Sequence, residues 1–522
     1  MAVAVGSPPA RRTAPPGWRR CALLPALALG VVVLAAAGVV PTWPGLVHLV
    51  GLPPLDLFAD LRVLLVATGS WPAFVVLLVL VFAARVAVLA FLMGGLDRAR
   101  LRFAALFYAV VLPLLGLVAF LDAAAYTVLY SRVFWVALTV VAIVVLTDGP
   151  VPWQGTARLR RAIAGGWREA LRLEVTLPYA AVVLALGALA DRLPALTLPL
   201  VPVSALATVL AIRALSRPVP AWVRPRSALA RLGAFAVVLA VAGTAFVSTR
   251  GVAMPADADP RPGSLLIMSG INSSSGSGAI FEVEVERLGF DCDQTYYFSY
   301  AGTGDGQPQN SATCPIRTGA PYQPEDTQRP VEEQVELLAE QVSDLPRPVV
   351  VAAHSHAVWV AWEAAGRGAP IDVLVFVGAF ADSPLGYPPQ GEDGTGRVLG
   401  DLIRAFVPVT DWVDFHFRPD APASRELLAT PGAASRIMDR PLPPGVRSLS
   451  ITSATDLPLM PGGWRLAVDR NACPARASHP LLPQQPVFYQ EVNRFLDERP
   501  ALRCPPWRDW GAALSIPFGP PT

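Results

Sequence analysis

The sequence predicts two unlike parts: an all-α transmembrane bundle of about seven helices, followed by an α/β domain with a mainly parallel sheet and a cap insertion. Three observations predict this. Apolar stretches of about 20 residues, the length that crosses a bilayer, recur through the first half of the chain. Arginines cluster in alternate loops between those stretches. From Ser264 onward, short apolar runs alternate with helical spacing instead. The expected division is 1–252 as a multi-pass membrane domain, 253–263 as a linker and 264–522 as an extracytoplasmic domain, with the cap at about 380–444.

Candidate spans lie near 22–41, 72–94, 103–126, 132–147, 174–191, 194–213 and 229–248. The segment 51–70 carries Asp56, Asp60 and Arg62 and reads as interfacial. Cytoplasmic loops retain arginine. The N-terminal tail (Arg11, Arg12, Arg19, Arg20) and the loops holding Arg98 to Arg102, Arg158 to Arg172 and Arg213 to Arg231 therefore belong inside. The other loops hold Asp56, Asp60, Asp122 and Asp191 and few arginines. An inside N-terminus and an odd number of spans put everything after about 250 outside the cytoplasm. Ala35-Ala36-Ala37-Gly38 would permit signal cleavage, but the spans that follow favour an uncleaved anchor. Arg85 falls inside the second span, where it is either functional or satisfied by a neighbouring carbonyl. No internal repeat or dense set of intramembrane acids suggests a transporter.

Composition agrees with this division. Hydrophobic residues make up 53% of the 522 and charged residues 16%, and the net charge of +2 gives no basic field for nucleic acid. All basic side chains other than histidine are arginine. Of five cysteines, Cys21 opens the first apolar run, while Cys292, Cys314, Cys473 and Cys504 lie in the second half. An even set there suggests two disulfides in an oxidising compartment. Pairing of sequence neighbours, Cys292 with Cys314 and Cys473 with Cys504, is preferred among three connectivities.

In the second half, strands are expected at 264–268, 295–300, 348–353, 372–377 and 446–452, and helices at about 278–288, 328–344, 358–366 and 484–497. The run Val349 to Ala353 is a buried-strand pattern that stops at Ser355 between small residues, and helical spacing resumes from Val358. A strand, a sharp turn and a helix would expose the serine oxygen at the end of a sheet. A nucleophilic serine needs a base and an acid to orient the base. Asp456 follows strand 446–452, and His479 precedes the last helix. Asp382, after strand 372–377, is a rival acid. The acidic and histidine cluster Asp411, Asp414, His416 in the cap reads as a polar face rather than a metal site, and Ser273 to Gly278 lacks the ending of a phosphate loop.

Residues 264–497 resemble the α/β-hydrolase superfamily, in its lipase and esterase branch. The likeness rests on Leu266-Ile267-Met268-Ser269-Gly270-Ile271-Asn272-Ser273, Phe298 to Gly302, Asp326-Thr327 ahead of a helix, Pro348 to Ala357, and the chain order Ser355, Asp456, His479. It implies a Ser355–Asp456–His479 triad, an oxyanion hole from the N–H groups of His356 and Ile271, and no cofactor or metal. The usual Gly-x-Ser-x-Gly frame is replaced by Ala353-His354-Ser355-His356-Ala357. The expected function is a membrane-anchored, extracytoplasmic serine hydrolase acting on carboxylic esters, with lipid or cell-envelope acyl esters as attractive substrates and membrane lipids as partners. An acyltransferase using the same residues, and a catalytically silent hydrolase-like module serving a membrane bundle, are the alternatives.

Overall fold

The computed structural model describes residues 22–40, 42–154, 158–169, 172–217, 254–412, 414–460 and 463–505. Among the described residues, five helical segments are long and apolar enough to cross a membrane: Trp71–Leu92, Arg98–Thr127, Ser131–Trp153, Leu173–Arg192 and Pro194–Ser216. Helices in this half are α1 (Leu23–Ala36), α2 (Leu55–Ala67), α3 (Trp71–Leu92), α4 (Arg98–Thr127), α5 (Ser131–Asp148), α6 (Leu159–Glu169), α7 (Leu173–Arg192) and α8 (Thr197–Ser216). Large apolar side chains such as Val76, Val79 and Leu80 on α3 and Val110 on α4 are left exposed, as a lipid-facing surface requires. The expected seventh span at 229–248 lies outside the described residues, as do Cys21 and the N-terminal arginines.

The start of the chain departs from expectation. The first candidate span is a helix of only 14 residues, too short to cross by itself. The segment read as interfacial is instead α2, whose residues from Leu55 to Ala59 are buried. Its charges are neutralised within the bundle. Asp60 accepts two hydrogen bonds from Arg85 on α3, at 2.6 and 2.8 Å, and Arg62 lies 2.6 Å from Asp122 on α4. Asp56 accepts from the Tyr108 hydroxyl at 2.7 Å and lies 3.5 Å from Arg85. Asp56, Asp60 and Asp122 therefore sit inside the bundle, not in loops, and Arg85 is satisfied mainly by carboxylates.

Between α1 and α2 the described residues are not α-helical, and Pro44–His48 forms a 3₁₀ turn. Backbone groups in a bundle interior need partners where water cannot reach. Side chains from three helices supply them. Ser204 and Thr208, in the middle of α8, donate to Val47 O (2.7 Å) and Val50 O (2.8 Å). Arg85 donates to Leu49 O at 2.9 Å, and the Tyr179 hydroxyl of α7 accepts from Leu52 N at 2.8 Å.

The second half holds a six-stranded sheet, ordered β2-β1-β3-β4-β5-β6 and parallel in every pairing. Its strands are β1 (Ser264–Met268), β2 (Thr295–Tyr297), β3 (Val349–His354), β4 (Val373–Val377), β5 (Arg447–Ile451) and β6 (Arg470–Asn471). The central strands β1, β3 and β4 are buried along their whole length, which explains why they are continuous apolar runs rather than alternating ones. Helices α9 (Val331–Ser343), α10 (Ala357–Gly366) and α14 (Pro486–Leu496) flank the sheet. Trp362 of α10, 1% exposed, stacks on Phe376 of β4 at 5.3 Å. The helix expected at 278–288 is mostly turn, with 3₁₀ structure confined to Val285–Leu288. Gly276 and Gly278, both at positive φ, fold the preceding loop back. The insertion between β4 and β5 contains α11 (Arg397–Trp412), α12 (Pro422–Leu427) and α13 (Ala433–Met438). Both disulfides join sequence neighbours, Cys292–Cys314 and Cys473–Cys504, and support an oxidising environment for this half. Part of the expected linker is pinned to the sheet domain, with Ala258 N and Arg261 N donating to Glu286 O and Gly289 O.

The two halves touch directly. Gly394 N donates to Gly69 O at 2.9 Å, and Trp71 Nε1 to Asp401 at 2.9 Å. Phe120 of α4 packs edge-on against Phe406 of α11 at 5.6 Å. The sheet domain thus sits on the helix ends near 68–71 and 127–131, at the opposite end of α4 from Arg98, Arg100 and Arg102.

Candidate active site

Ser355 occupies the turn between β3 and α10 at φ +60°, a left-handed conformation that costs a non-glycine residue about 1–3 kcal/mol. Its N–H donates to Val377 O at 2.9 Å, which holds the turn against the end of β4. The elbow tolerates alanine at 353 and 357 because the close approaches fall elsewhere. A Cβ on Gly270 would lie 2.6 Å from Ser355 Cβ, and one on Gly378 (φ +67°) would lie 2.7 Å from His479 Cε1 and 3.0 Å from its Nδ1. The positions around this turn that leave no room for a Cβ are thus Gly270 and Gly378, at the ends of β1 and β4. Gly378→Ala is expected to push the His479 ring aside and slow any His479-dependent turnover about 100-fold, as misplacement by an ångström does. Ester hydrolysis by the purified variant checks this.

His479 and Asp456 are brought together. His479 Nδ1 lies 2.6 Å from Asp456 Oδ2, and the Asp456 side chain is wholly buried. The ring packs between Phe380 (centroids 5.4 Å apart) and His354 (5.0 Å). His354 Nε2 donates to the His479 carbonyl oxygen at 3.2 Å, which anchors the loop as well as the ring. In this structure the His479 ring bonds Asp456 through Nδ1 and makes no hydrogen bond to the Ser355 hydroxyl. The rival acid Asp382 is engaged elsewhere, accepting from Gly432 N at the start of α13.

His356 and Ile271 border the same cavity as Ser355, of about 40 Å³. Neither backbone N–H has an acceptor among the described residues. The His356 ring is fixed from below. It stacks on Tyr300 at 5.6 Å, and its Nε2 donates to Gln334 Oε1 at 3.1 Å. The loop after Ile271 is held by Asn272, at φ +64°, whose N–H donates to Thr327 and whose side chain bonds Asp414 O and His416 N in the cap. The contacts made by Asn272 and Gln334 carry no sequence signal. Only Thr327, ahead of a helix, carried a local signal.

Burial lowers both elbow histidines to about 3. They are neutral at pH 7, with Nε2 as the protonated nitrogen in each because its partner is a carbonyl or amide oxygen. An unfolded chain would protonate them near 6.5. Between about 6.5 and 3 the unfolded state binds more protons, so stability falls as pH falls, by about 1.4 kcal/mol per unit for each ring. Denaturant unfolding of the disulfide-intact protein at pH 7 and pH 5 is expected to show this loss.

Among the described residues, one group of side chains is close enough together to suggest a metal site. Glu286, Cys292 and Cys314 cluster, but both sulfurs are joined in a disulfide and are not thiolate ligands. His416 lies 3.3 Å from Asp411, whose carboxylate is already taken by Arg418 at 2.6 Å.

Apart from Ser355 and His356, the cavity lining is apolar, and it includes Val128 and Leu129 from the α4–α5 turn of the membrane half. No protein-family model, curated protein or solved structure matches the chain.

Proposed function

We propose that the second half is an extracytoplasmic α/β-hydrolase domain, and that the protein is a membrane-anchored serine hydrolase of carboxylic esters. The observation that carries this reading is the convergence of three sequence-distant elements: a strained serine between strand and helix, and a buried His479–Asp456 pair at 2.6 Å arriving from beyond β5. The strand order β2-β1-β3-β4-β5-β6 is the parallel, crossed-over arrangement such a domain uses, with the serine following a central strand.

In this mechanism His479 Nε2 takes the Ser355 proton as Oγ attacks the ester carbonyl. Asp456 holds the ring and stabilises the imidazolium. The N–H groups of His356 and Ile271 receive the oxyanion. Collapse breaks the bond to the alcohol, which leaves with the proton from His479. Water, deprotonated by the same ring, then releases the acid and restores Ser355. The apolar cavity and the membrane attachment favour the acyl chain of a lipid or envelope ester as the group received. Arginine-rich loops favour a cytoplasmic position, which supports a reaction on the other side of the membrane.

The apolar lining also favours an acyltransferase, in which an acceptor alcohol replaces water in the second step. Hydrolysis of p-nitrophenyl butyrate by the full-length protein in detergent, with and without glycerol as acceptor, tests both. Nitrophenol release abolished in His479→Ala supports the serine mechanism. Glycerol acylation in excess of free acid supports transfer. A folded protein that releases none favours the silent module.

A further inference from the structure

Asp456 has no exposure to solvent, and its own N–H is spent on Ser453 O. One carboxylate oxygen faces His479 Nδ1. The other accepts from the Ser131 hydroxyl at 2.7 Å, a residue 325 positions earlier and in the membrane half. Ser131 is the first residue of α5, an 18-residue helix whose positive end therefore meets the buried carboxylate. Trp135, one turn further on, donates Nε1 to Thr455 O at 3.0 Å and fixes the helix against the acid's loop. On the opposite side of the turn, the Ser383 hydroxyl lies 3.4 Å from Thr127 O and 3.2 Å from both Leu385 O and Leu428 O. In this turn Leu129 is held at φ +53°, a strained conformation for leucine, and it lines the Ser355 cavity.

We propose that the α4–α5 turn of the membrane bundle is part of the active site. Ser131 is a positioning residue that holds Asp456, and Val128 and Leu129 form a wall of the acyl pocket. This rests on the serine-hydrolase reading. Its consequence is that the sheet domain is incomplete without the bundle, and that the acyl chain is received where the bundle meets the cap. The substrate class this favours is a long-chain acyl ester drawn from a lipid bilayer. An ionised buried carboxylate needs donors on both oxygens. Among the described residues the sheet domain supplies only the imidazole, and the bundle supplies the other donor. The surroundings of the turn are suited to a bilayer surface: Tyr130 stacks on Phe415 at 5.4 Å, and Trp412 at the end of α11 is 85% exposed.

The test uses the full-length protein in lipid nanodiscs. Ser131→Thr and Ser131→Val are nearly isosteric and differ in the hydroxyl. Fluorophosphonate labelling of Ser131→Val is expected to slow about 10- to 100-fold, the loss of one hydrogen bond to a charged group, while Ser131→Thr stays within about threefold of wild type. Val128→Trp is expected to lower hydrolysis of the 16-carbon p-nitrophenyl ester about tenfold relative to the 4-carbon ester. Equal rates for the Thr and Val variants would overturn the positioning role, and unchanged chain-length preference in Val128→Trp would overturn the pocket wall. Both results would leave a labelled wild-type enzyme standing. A wild-type protein that does not label overturns the hydrolase reading and this inference with it.

Discussion

Ser355→Ala is expected to lower ester hydrolysis by about 10⁴- to 10⁶-fold, the range found when the nucleophile of such a unit is removed. The strain at Ser355 explains why so large an effect should come with little loss of fold. Its φ of +60° is unfavourable for any side chain, so alanine retains the conformation and loses only the oxygen. His479→Ala should cost a comparable factor, since an unassisted serine is a poor nucleophile. The double variant should be no slower than either single one, because the groups act as a unit. Steady-state rates on one ester for the three variants, each checked for a wild-type circular dichroism spectrum, decide the matter. Additive losses would show that the two residues work independently.

The largest stability effect is expected in the bundle. Arg85→Met removes the cation that holds Asp60 at 2.6 and 2.8 Å and lies 3.5 Å from Asp56. It also removes the donor to Leu49 O, in the stretch where the backbone is not α-helical. Breaking one side of a buried ion pair costs about 3–5 kcal/mol, because the remaining charge is left uncompensated. The Tm in detergent should therefore fall by about 10 °C. Arg85→Met combined with Asp60→Leu should recover part of that loss, since removing both charges is far milder than removing one. Asp56 keeps the Tyr108 hydroxyl and the Leu57 N–H in either case. A double variant no more stable than Arg85→Met would show that the ion pair is not what holds α2 in the bundle.

Features written in local sequence were legible. The strand preceding Ser355 is an unbroken apolar run because it is buried on both faces, and the order of serine, acid and histidine follows the chain. The five segments between Trp71 and Ser216 that are long enough to cross a membrane are apolar because they face lipid. What depended on distant partners was hidden. Asp56, Asp60 and Arg62 looked too polar for a bundle interior, since their counter-charges Arg85 and Asp122 lie on other helices. The two-residue strand Arg470–Asn471 is too short to leave a pattern. Ser131 resembles any serine opening a helix, and only the fold places it against Asp456. Asn272 likewise carries no signal for its role in tying the loop after Ile271 to the cap.

The central claim, an activated serine at position 355, is tested most directly by a fluorophosphonate probe on the full-length protein, with the modified peptide identified by mass spectrometry. The expected result is a single adduct on Ser355, formed in the wild type and lost in His479→Ala. Labelling at another serine, or a folded wild-type protein that takes up no probe, would contradict it.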